Sequence, residues 1–242
     1  MVWMFSKQMR KALSALQVDH KSVDMVKSLL KTKKVVLVPI YKSVADMFIF
    51  VYIHHYFGID APFAYGSFED TPYFKPLLIK CGYVFARRSY NQSVQSRYIN
   101  SAMLMQIIAD NKLTIVFQNS ERLRTGKFYR RTTSDLSVQW IIDAYRNMPQ
   151  QANNIVIVPV MCSYDRIFET HNLTSEMVKG EGQELSFIEY MKRIYNFRQD
   201  QLGEVFVKYL QPIHIKEFLE NQGMTDSLLI QEKQEITSFK LT

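Results

Sequence analysis

The sequence contains little cysteine, with only two in 242 residues. Cys81 and Cys162 lie far apart in apolar surroundings, so they form neither a metal-ligand spacing nor a disulfide framework. We therefore expect no metal site, no cofactor and a reducing compartment, which includes the mitochondrial matrix. No apolar run approaches the roughly 18 residues that a membrane-spanning helix needs. The chain is thus expected to be soluble or peripheral to a membrane, with no transmembrane helix.

Internal repeats, heptad arrays and low-complexity runs are also absent, and the composition predicts one globular α/β domain. The 242 residues are 47% apolar and 13% aromatic, which suffices for a sizeable core. A net charge of +7 suits nucleic acid, an anionic membrane surface, phosphorylated or CoA-like substrates, or an uncommitted basic surface. None of the common nucleic-acid-binding motifs is present, and the basic residues gather in predicted loops, so we expect no nucleic-acid partner.

The first eighteen residues contain three cations, Lys7, Arg10 and Lys11, and no acid. With apolar residues available for one face, they predict a helix, and an entry helix ends near Leu30. Three interpretations of the first helix stay open: an ordinary docking helix, an interfacial helix, or a helix like a mitochondrial targeting segment. We therefore predict an N-terminal helical extension over residues 1–32, an α/β domain over 33–222 and a C-terminal tail over 223–242.

The stretch from Lys33 to Phe50 predicts a buried strand followed by a helix. Val35 to Val38 form a short β-branched run, which is typical of a parallel strand covered on both faces. Pro39 is expected to stop strand pairing because it has no backbone donor. Ser43 is placed to cap a helix that carries Asp46 in its first turn. Tyr41 and Asp46 would then lie at the carboxyl end of a parallel strand, where open α/β sheets place their sites.

Further elements follow along the chain. Residues 91–111 predict a helix with a buried stripe, and residues 138–145 predict another. The stripe consists of Tyr98, Ile99, Met103, Ile107 and Ile108. Strands are predicted before Arg87 and over Leu113–Phe117, Ile155–Val160 and residues 203–213.

Four stretches resemble, in order, the motifs of one protein family. Residues 41–46, Y-K-S-V-A-D, resemble the first motif, H-x-x-x-x-D, of the glycerolipid acyltransferases, in particular the glycerol-3-phosphate and dihydroxyacetone-phosphate acyltransferases. Tyr41 replaces the histidine, whereas Asp46 matches. The second motif, G-x-x-F-x-R-R, is matched by Gly82, Phe85, Arg87 and Arg88.

The third and fourth motifs follow two predicted strands. The third, F-x-E-G-x-R-S-R-x-G-K, is the most specific match and is met by Phe117, Arg122, Arg124, Gly126 and Lys127. Asn119 and Ser120 replace the family's glutamate and glycine, so an ion-pair partner is lost and a tight turn gains a side chain. The fourth, a buried strand leading to S-Y-D, is met by Pro159, Ser163, Tyr164 and Asp165. The resemblance covers about three quarters of the chain, from Lys33 to Ile213.

The resemblance implies an α/β fold with a mostly parallel sheet flanked by helices. It also implies that the motif-one histidine takes a proton from the acceptor hydroxyl as that hydroxyl attacks an acyl-CoA thioester, while the aspartate fixes the imidazole. A phosphate site is implied for Arg88, Arg122, Arg124 and Lys127, since guanidinium groups offer bidentate charged donors. An acyl-CoA groove is implied for Pro159, Ser163 and Tyr164.

Tyr41 is a poor replacement for a histidine base. Imidazole has a pKa near ~6.5, whereas a phenol with a pKa of ~10 is only about 0.1% ionised at pH 7. Matching histidine would need about 4 kcal/mol of differential stabilisation. Without its histidine, Asp46 is expected to complement the helix dipole and to bond the Tyr41 hydroxyl. His54 and His55, two turns further along the helix, are expected to be structural or surface residues.

The preferred hypothesis is a catalytically degenerate acyltransferase-like protein that serves as a structural or interaction subunit of a membrane-associated assembly, in mitochondria or elsewhere. Its pocket would still bind a phosphate-bearing lipid or CoA. The alternative is an active O-acyltransferase that moves an acyl group from acyl-CoA to glycerol 3-phosphate or dihydroxyacetone phosphate. That alternative would use Tyr41, water or another base, and a histidine such as His171 or His214 brought near Asp46 by the fold would favour it. A lipid or CoA sensor without a partner is a third possibility.

Overall fold

A computed structural model describes residues 7, 10–11, 13–40, 42–43, 45–66, 79, 82–85, 94–117, 137–147, 154–167, 174, 178 and 203–221. Its strands are β1 (Ala15–Val18), β2 (Lys34–Pro39), β3 (Phe63–Gly66), β4 (Tyr83–Phe85), β5 (Thr114–Val116), β6 (Ile155–Tyr164), β7 (Glu204–Tyr209) and β8 (Ile213–His214). Its helices are α1 (His20–Leu30), α2 (Ala45–Tyr56), α3 (Val94–Ala109), α4 (Ser137–Asn147) and α5 (Ile215–Asn221). None of the helices in these described ranges is both long and apolar enough to cross a bilayer.

The strands form one mixed sheet in the order β1-β7-β6-β2-β5-β3-β4, with β8 also beside β6. Strands β6, β2, β5, β3 and β4 run parallel to one another, and β1 runs parallel to β7. Strands β7 and β8 pair antiparallel with β6. Helices lie on both faces, so the predicted fold class, an α/β fold with a mostly parallel sheet flanked by helices, is confirmed.

Strand β2 lies at the centre of this sheet. All six of its residues are buried, and Val36 is in register with Thr114 on one side and with Ile157 on the other. The prediction of a covered parallel strand is therefore confirmed. The strand runs one residue further than expected, because Pro39 remains in register with Val160 of β6. A proline at the last residue of a strand removes only one ladder donor, so pairing reaches it.

The two faces of β2 belong to two halves of the core. Val35 and Leu37 pack on the side that also holds α1 and α2, together with Ile49 and Phe50. Val36 and Val38 pack on the other side with side chains of α3, α4 and α5. Successive strand residues point to opposite faces, so one apolar run supplies both layers.

Lys34, at the start of β2, is a charged residue with a structural role. Its ammonium donates to the carbonyl oxygens of Ile108 and Ala109 at 2.9 and 2.8 Å, and to Asn111 Oδ1 at 2.5 Å. These carbonyls belong to the last turn of α3, whose end lacks intrahelical donors and attracts positive charge. Burial lowers the pKa of Lys34, and the nearby Asp110 opposes that change. Lys34 therefore joins α3 to the central strand.

Two sequence predictions about helices are wrong. The N-terminal segment is helical at residues 7, 10 and 11, but Ala15–Val18 form strand β1, which pairs with β7. The predicted stripe of α3 is mostly exposed, with Tyr98 62%, Ile99 60% and Met103 44% accessible. The buried face is rotated toward Asn100, Ser101, Leu104 and Ile108. Apolar residues surround α3 on several sides, so periodicity alone did not identify the face that packs.

Candidate functional site

The carboxyl ends of β6, β2, β5, β3 and β4 meet at one edge of the sheet, because these strands are parallel. The first motif follows β2 and the second begins at Gly82, just before β4. The third begins at Phe117, just after β5, and the fourth runs along β6 and ends at Asp165, just after that strand. The topology thus directs the four motif-bearing segments toward the same edge. This is the edge where open α/β sheets bind ligands.

Asp46 is the best-defined polar group at this edge, and it is fully buried in the first turn of α2. Its Oδ2 accepts the backbone N–H groups of Lys42 at 2.8 Å and Ser43 at 3.2 Å. Its Oδ1 accepts a hydrogen bond from the hydroxyl of Tyr164 in β6. The Ser43 hydroxyl accepts the N–H of Ala45 at 3.1 Å, which confirms Ser43 as a capping residue. The carboxylate therefore holds the β2–α2 turn and the end of β6 together.

Lys42 makes a second connection between the same two segments. Its ammonium donates to the carbonyl oxygen of Cys162 in β6 at 2.6 Å. The Cys162 thiol lies within the core, where burial and then the Asp46 carboxylate raise its pKa, while Lys42 lowers it by less. Only the thiolate is a strong nucleophile, so a buried thiol with a raised pKa is poorly suited to attack a substrate. The group next to Asp46 is thus a packed thiol rather than a reactive one.

Tyr209 of β7 is a buried core residue next to Cys162 and His54. Burial raises the pKa of its hydroxyl, and the neighbouring Cys162 adds to the effect. The ring is 2% exposed and meets the His54 ring edge-on, with 6.1 Å between the ring centroids. The interior below Asp46 therefore favours neutral side chains.

His54 belongs to this interior and not to the site. It is fully buried, and its Nδ1 donates to the carbonyl oxygen of Phe50 at 2.6 Å. Eight residues of helix separate it from Asp46, which is about 12 Å along the axis. His55, the next residue of the same helix, is exposed. The interpretation of both as structural or surface residues agrees with these positions.

His214, one of the two histidines that would favour the active-enzyme alternative if they lay near Asp46, lies toward the other edge of the sheet. It pairs with Val156, and Val156 is in register with Val35 at the beginning of β2. Ile40, where the chain leaves β2 toward Asp46, follows Val35 by five residues, or about 17 Å of strand. His214 is therefore far from Asp46, and His171 lies outside the described residues.

His20 is also remote, because its ring packs on Phe57 just beyond the C-terminal end of α2, with 5.1 Å between centroids. Asp46 lies in the first turn of that helix, eleven residues before Phe57, or about 16 Å away along the axis. Four of the five histidines in the sequence are thus placed, and none of these four is near Asp46.

The burial of His54 predicts a pH-dependent stability. Desolvation lowers the pKa of His54 from 6.5 to about 4, so the unfolded chain binds its proton first as the pH falls. The contribution of neutral His54 to the free energy of unfolding is complete above pH 6.5 and is lost as the pH falls from 6.5 to 4. We expect this to lower the free energy of unfolding by about 3 kcal/mol over that range. Urea unfolding at several pH values measures it.

The neighbouring histidine provides the matched control for this measurement. The variant His54→Gln should lose this part of the pH dependence, whereas His55→Gln, at an exposed position, should retain it. Equal pH profiles for the native chain and His54→Gln would contradict the assignment, because His54 would then titrate alike in both states.

An apolar groove with a volume of about 520 Å³ opens on the face of the sheet that carries α4 and α5. Lys42 is the charged residue of its lining, and the other lining residues are apolar. They are Val38, Ile40, Val138, Ile142, Ile157, Pro159, Val160, Met161, Cys162, Leu210, Ile213, Ile215, Phe218 and Leu219.

The three residues predicted for an acyl-CoA groove are divided between the two faces of β6. Pro159 lines the apolar groove, and the exposed Ser163 follows it on the same face at strand spacing. Tyr164 belongs to the opposite face, where it packs on the core around α2 and bonds Asp46. The prediction of an acyl-CoA groove at these residues stays a prediction.

Asp165, the last residue of the S-Y-D match, has a structural role in β6–β7 pairing. Its Oδ2 accepts the N–H of Glu204 at 2.8 Å, and its own N–H donates to the Glu204 carbonyl oxygen at 3.1 Å. Gly203 next to it has a φ of 73°, and a Cβ there would lie 2.7 Å from the Asp165 Cβ. A glycine is therefore required where β7 begins.

Several predicted site residues fall outside the described part of the chain. They are Tyr41, Arg88, Arg122, Arg124 and Lys127, and their roles stay predictions. Sequence reasoning missed the contacts of Lys42 with Cys162 and of Tyr164 with Asp46. Alternation along β6 could have placed Cys162 and Tyr164 on one face, but no local signal pairs residues 118 positions apart.

The mostly parallel sheet, with the motif-bearing segments at the carboxyl ends of its strands, defines an α/β protein of acyltransferase-like architecture. The chain is 26% identical over 229 residues to the mitochondrial glycerol-3-phosphate acyltransferase 1 of Mus musculus, and equally to that of Homo sapiens. A glycerol-3-phosphate acyltransferase of Pseudomonas aeruginosa is 24% identical over 214 residues. These matches cover 91%, 91% and 87% of the chain and support a relationship to the glycerolipid acyltransferases.

The chain spans only about a quarter of the length of these curated relatives, 27% of the two mammalian proteins and 24% of the bacterial one. No protein-family profile matches the sequence.

Proposed function

We propose that this chain is a catalytically degenerate glycerolipid acyltransferase-like protein that serves as a structural or interaction subunit of a membrane-associated assembly. The observation that carries the proposal is the environment of Asp46. The carboxylate is buried and bound by two backbone N–H groups and the Tyr164 hydroxyl, so it maintains the fold. The sequence has Tyr41 where the family pattern has its base.

The positions of the histidines support the same conclusion. Removing a positioned general base typically costs 10²- to 10⁴-fold in rate. A replacement would have to come from elsewhere in the chain, yet His20, His54, His55 and His214 are all distant from Asp46. The buried Cys162 offers no alternative nucleophile, because its thiol is held protonated.

Ligand binding is retained in this proposal. Arg88, Arg122, Arg124 and Lys127 form an anion site for a phosphate-bearing lipid or CoA, since the strands that precede them end at the edge where Asp46 lies. Mitochondria are the proposed location, because the first eighteen residues carry cations and no acid, and the mammalian relatives are named mitochondrial.

Enzyme assays of the purified chain test the proposal. We expect no product from labelled palmitoyl-CoA with glycerol 3-phosphate or dihydroxyacetone phosphate, at a detection limit about 10⁴-fold below an active relative assayed in parallel. In native membranes the chain should sediment as part of a larger assembly. Turnover that Tyr41→Phe abolishes, together with sedimentation as a free monomer, would overturn the proposal.

The second candidate is an active O-acyltransferase with the same two substrates. It is favoured by the similarity to glycerol-3-phosphate acyltransferases over most of the chain and by the apolar groove that reaches Lys42, next to the motif-one turn. It requires Tyr41, a water molecule or His171 as the base. Turnover in the same assay is the result that would select it.

A further inference from the structure

Two adjoining rings in the core, those of His54 in α2 and Tyr209 in β7, carry polar atoms whose bonding is incomplete. The two residues are 0% and 2% exposed, and 6.1 Å separates their ring centroids. Among the described residues, neither His54 Nε2 nor the Tyr209 hydroxyl has a hydrogen-bond partner. Buried polar side-chain atoms in native proteins nearly always bond to the protein or to an ordered water molecule. Two such atoms on neighbouring rings therefore indicate one group that bonds both.

The tautomer of His54 determines what that group must offer. The Phe50 carbonyl oxygen, 2.6 Å from His54 Nδ1, can only accept, so Nδ1 carries the ring proton. Because burial lowers the pKa of His54 to about 4, the imidazole is neutral at pH 7. Nε2 of this tautomer has a lone pair and no hydrogen. The group that faces it must be a hydrogen-bond donor.

The Tyr209 hydroxyl imposes the complementary requirement. Burial raises the pKa of this phenol, so the hydroxyl keeps its hydrogen at neutral pH and can donate it. A group between the two rings has to accept from Tyr209 and donate to His54. Water does both and is the smallest molecule that can. An ion fits less well, because both rings are neutral and a charge without a counter-charge is costly in an apolar interior.

The register of β6 and β7 brings a third polar group to the same place. Val160 is opposite Tyr209, and Cys162 is opposite Val207. Cys162 and Tyr209 are therefore diagonal neighbours, and both pack in the half of the core that α2 covers. A thiol is a weak donor and a weak acceptor. Buried water molecules typically make about three hydrogen bonds, and His54, Tyr209 and Cys162 would supply them.

We propose that one water molecule is bound in the core between α2 and the β6–β7 pair, where it accepts from the Tyr209 hydroxyl and donates to His54 Nε2 and to the Cys162 sulfur. The inference is independent of the proposed function. This water fixes the tautomer of His54 and joins the C-terminal half of α2 to the sheet. Asp46 bonds the first turn of the same helix to β6 through Tyr164. Polar contacts thus hold α2 against the sheet at both of its ends.

A crystal structure of the native chain, at a resolution that shows ordered water molecules, tests the proposal directly. We expect one isolated oxygen within about 3.2 Å of both His54 Nε2 and the Tyr209 hydroxyl oxygen. A direct hydrogen bond between the two side chains would overturn the proposal. So would a side chain of another segment between them, or two rings with nothing bound to either polar atom.

Nuclear magnetic resonance of the ¹⁵N-histidine-labelled chain gives an independent readout in solution. Tyr209→Phe keeps the ring and removes the hydroxyl, so we expect the His54 Nε2 resonance to move toward that of an unbonded nitrogen. The magnetisation transfer from water to the His54 ring protons should be lost in the same variant. Its control is Tyr145→Phe, because Tyr145 is also 2% exposed but packs on the other face of the sheet.

The pair of variants separates a bound water from a general effect of removing a buried hydroxyl. Tyr145→Phe should leave both His54 signals as they are in the native chain. Unchanged His54 signals in Tyr209→Phe would contradict the proposal, because the hydroxyl would then take no part in binding. Equal changes in the two variants would contradict it as well, since the effect would not be specific to the ring beside His54.

Discussion

The double variant Tyr41→His, Asn119→Glu should transfer palmitate from labelled palmitoyl-CoA to glycerol 3-phosphate at least about 10²-fold faster than the native chain, and up to about 10⁴-fold faster. The imidazole would stand five residues before Asp46, as in the motif that the sequence resembles. Asp46 is already held in place by the turn and by Tyr164. The glutamate restores an ion-pair partner for the cations of the third motif.

A matched control distinguishes the new base from a general effect of substitution at residue 41. Tyr41→Phe, Asn119→Glu lacks both the phenol and the imidazole and should remain as inactive as the native chain. Product from Tyr41→His, Asn119→Glu alone would establish that substrates still bind and that only the chemistry was lost. No product from any variant would contradict the retained pocket.

Replacement of Asp46 by alanine should lower the free energy of unfolding by about 3 kcal/mol or more, because it leaves the N–H groups of Lys42 and Ser43 and the Tyr164 hydroxyl without their acceptor. This is a large part of the 5 to 15 kcal/mol that typically stabilises a domain. Urea unfolding at pH 7 measures the change. A catalytic acid that served only chemistry would show the opposite pattern, with lost activity and little lost stability.

Two further variants test the cause of that loss. Tyr164→Phe removes one hydrogen bond and should cost about 1 kcal/mol, and its effect should nearly vanish when Asp46 is already alanine. Asp24→Ala, at an exposed position on α1, should change stability by less than about 0.5 kcal/mol. An Asp46→Ala protein as stable as the native chain would contradict the structural role.

The surroundings of Asp46 give its carboxylate a structural role that needs no histidine. Its carboxylate joins three elements, since it bonds the β2–α2 turn and β6 from the first turn of α2. Loss of this buried, bonded carboxylate would leave the two backbone N–H groups and the Tyr164 hydroxyl without their acceptor. A structural constraint therefore acts on residue 46 whichever residue stands at position 41.

Much of the fold could be predicted from local pattern. The β-branched run Val35–Val38 indicated the covered parallel strand, and Ser43 with Asp46 indicated the helix that follows it. These predictions succeeded because the period of burial and the capping chemistry act over a few residues. The buried face of α3 was not predictable in the same way, since Tyr98, Ile99 and Met103 form a stripe as apolar as the one that packs.

The sequence by itself determined the class of fold, the central strand, the turn that carries Asp46 and the absence of a histidine at residue 41. Only the tertiary structure decided that β1 joins the sheet, that Tyr164 bonds Asp46 and that Lys42 borders an open apolar groove. The physical reason is the range of the interactions. Helix caps and strand alternation are local, whereas contacts such as Tyr164 with Asp46 join residues 118 positions apart and exist only once β6 lies beside β2.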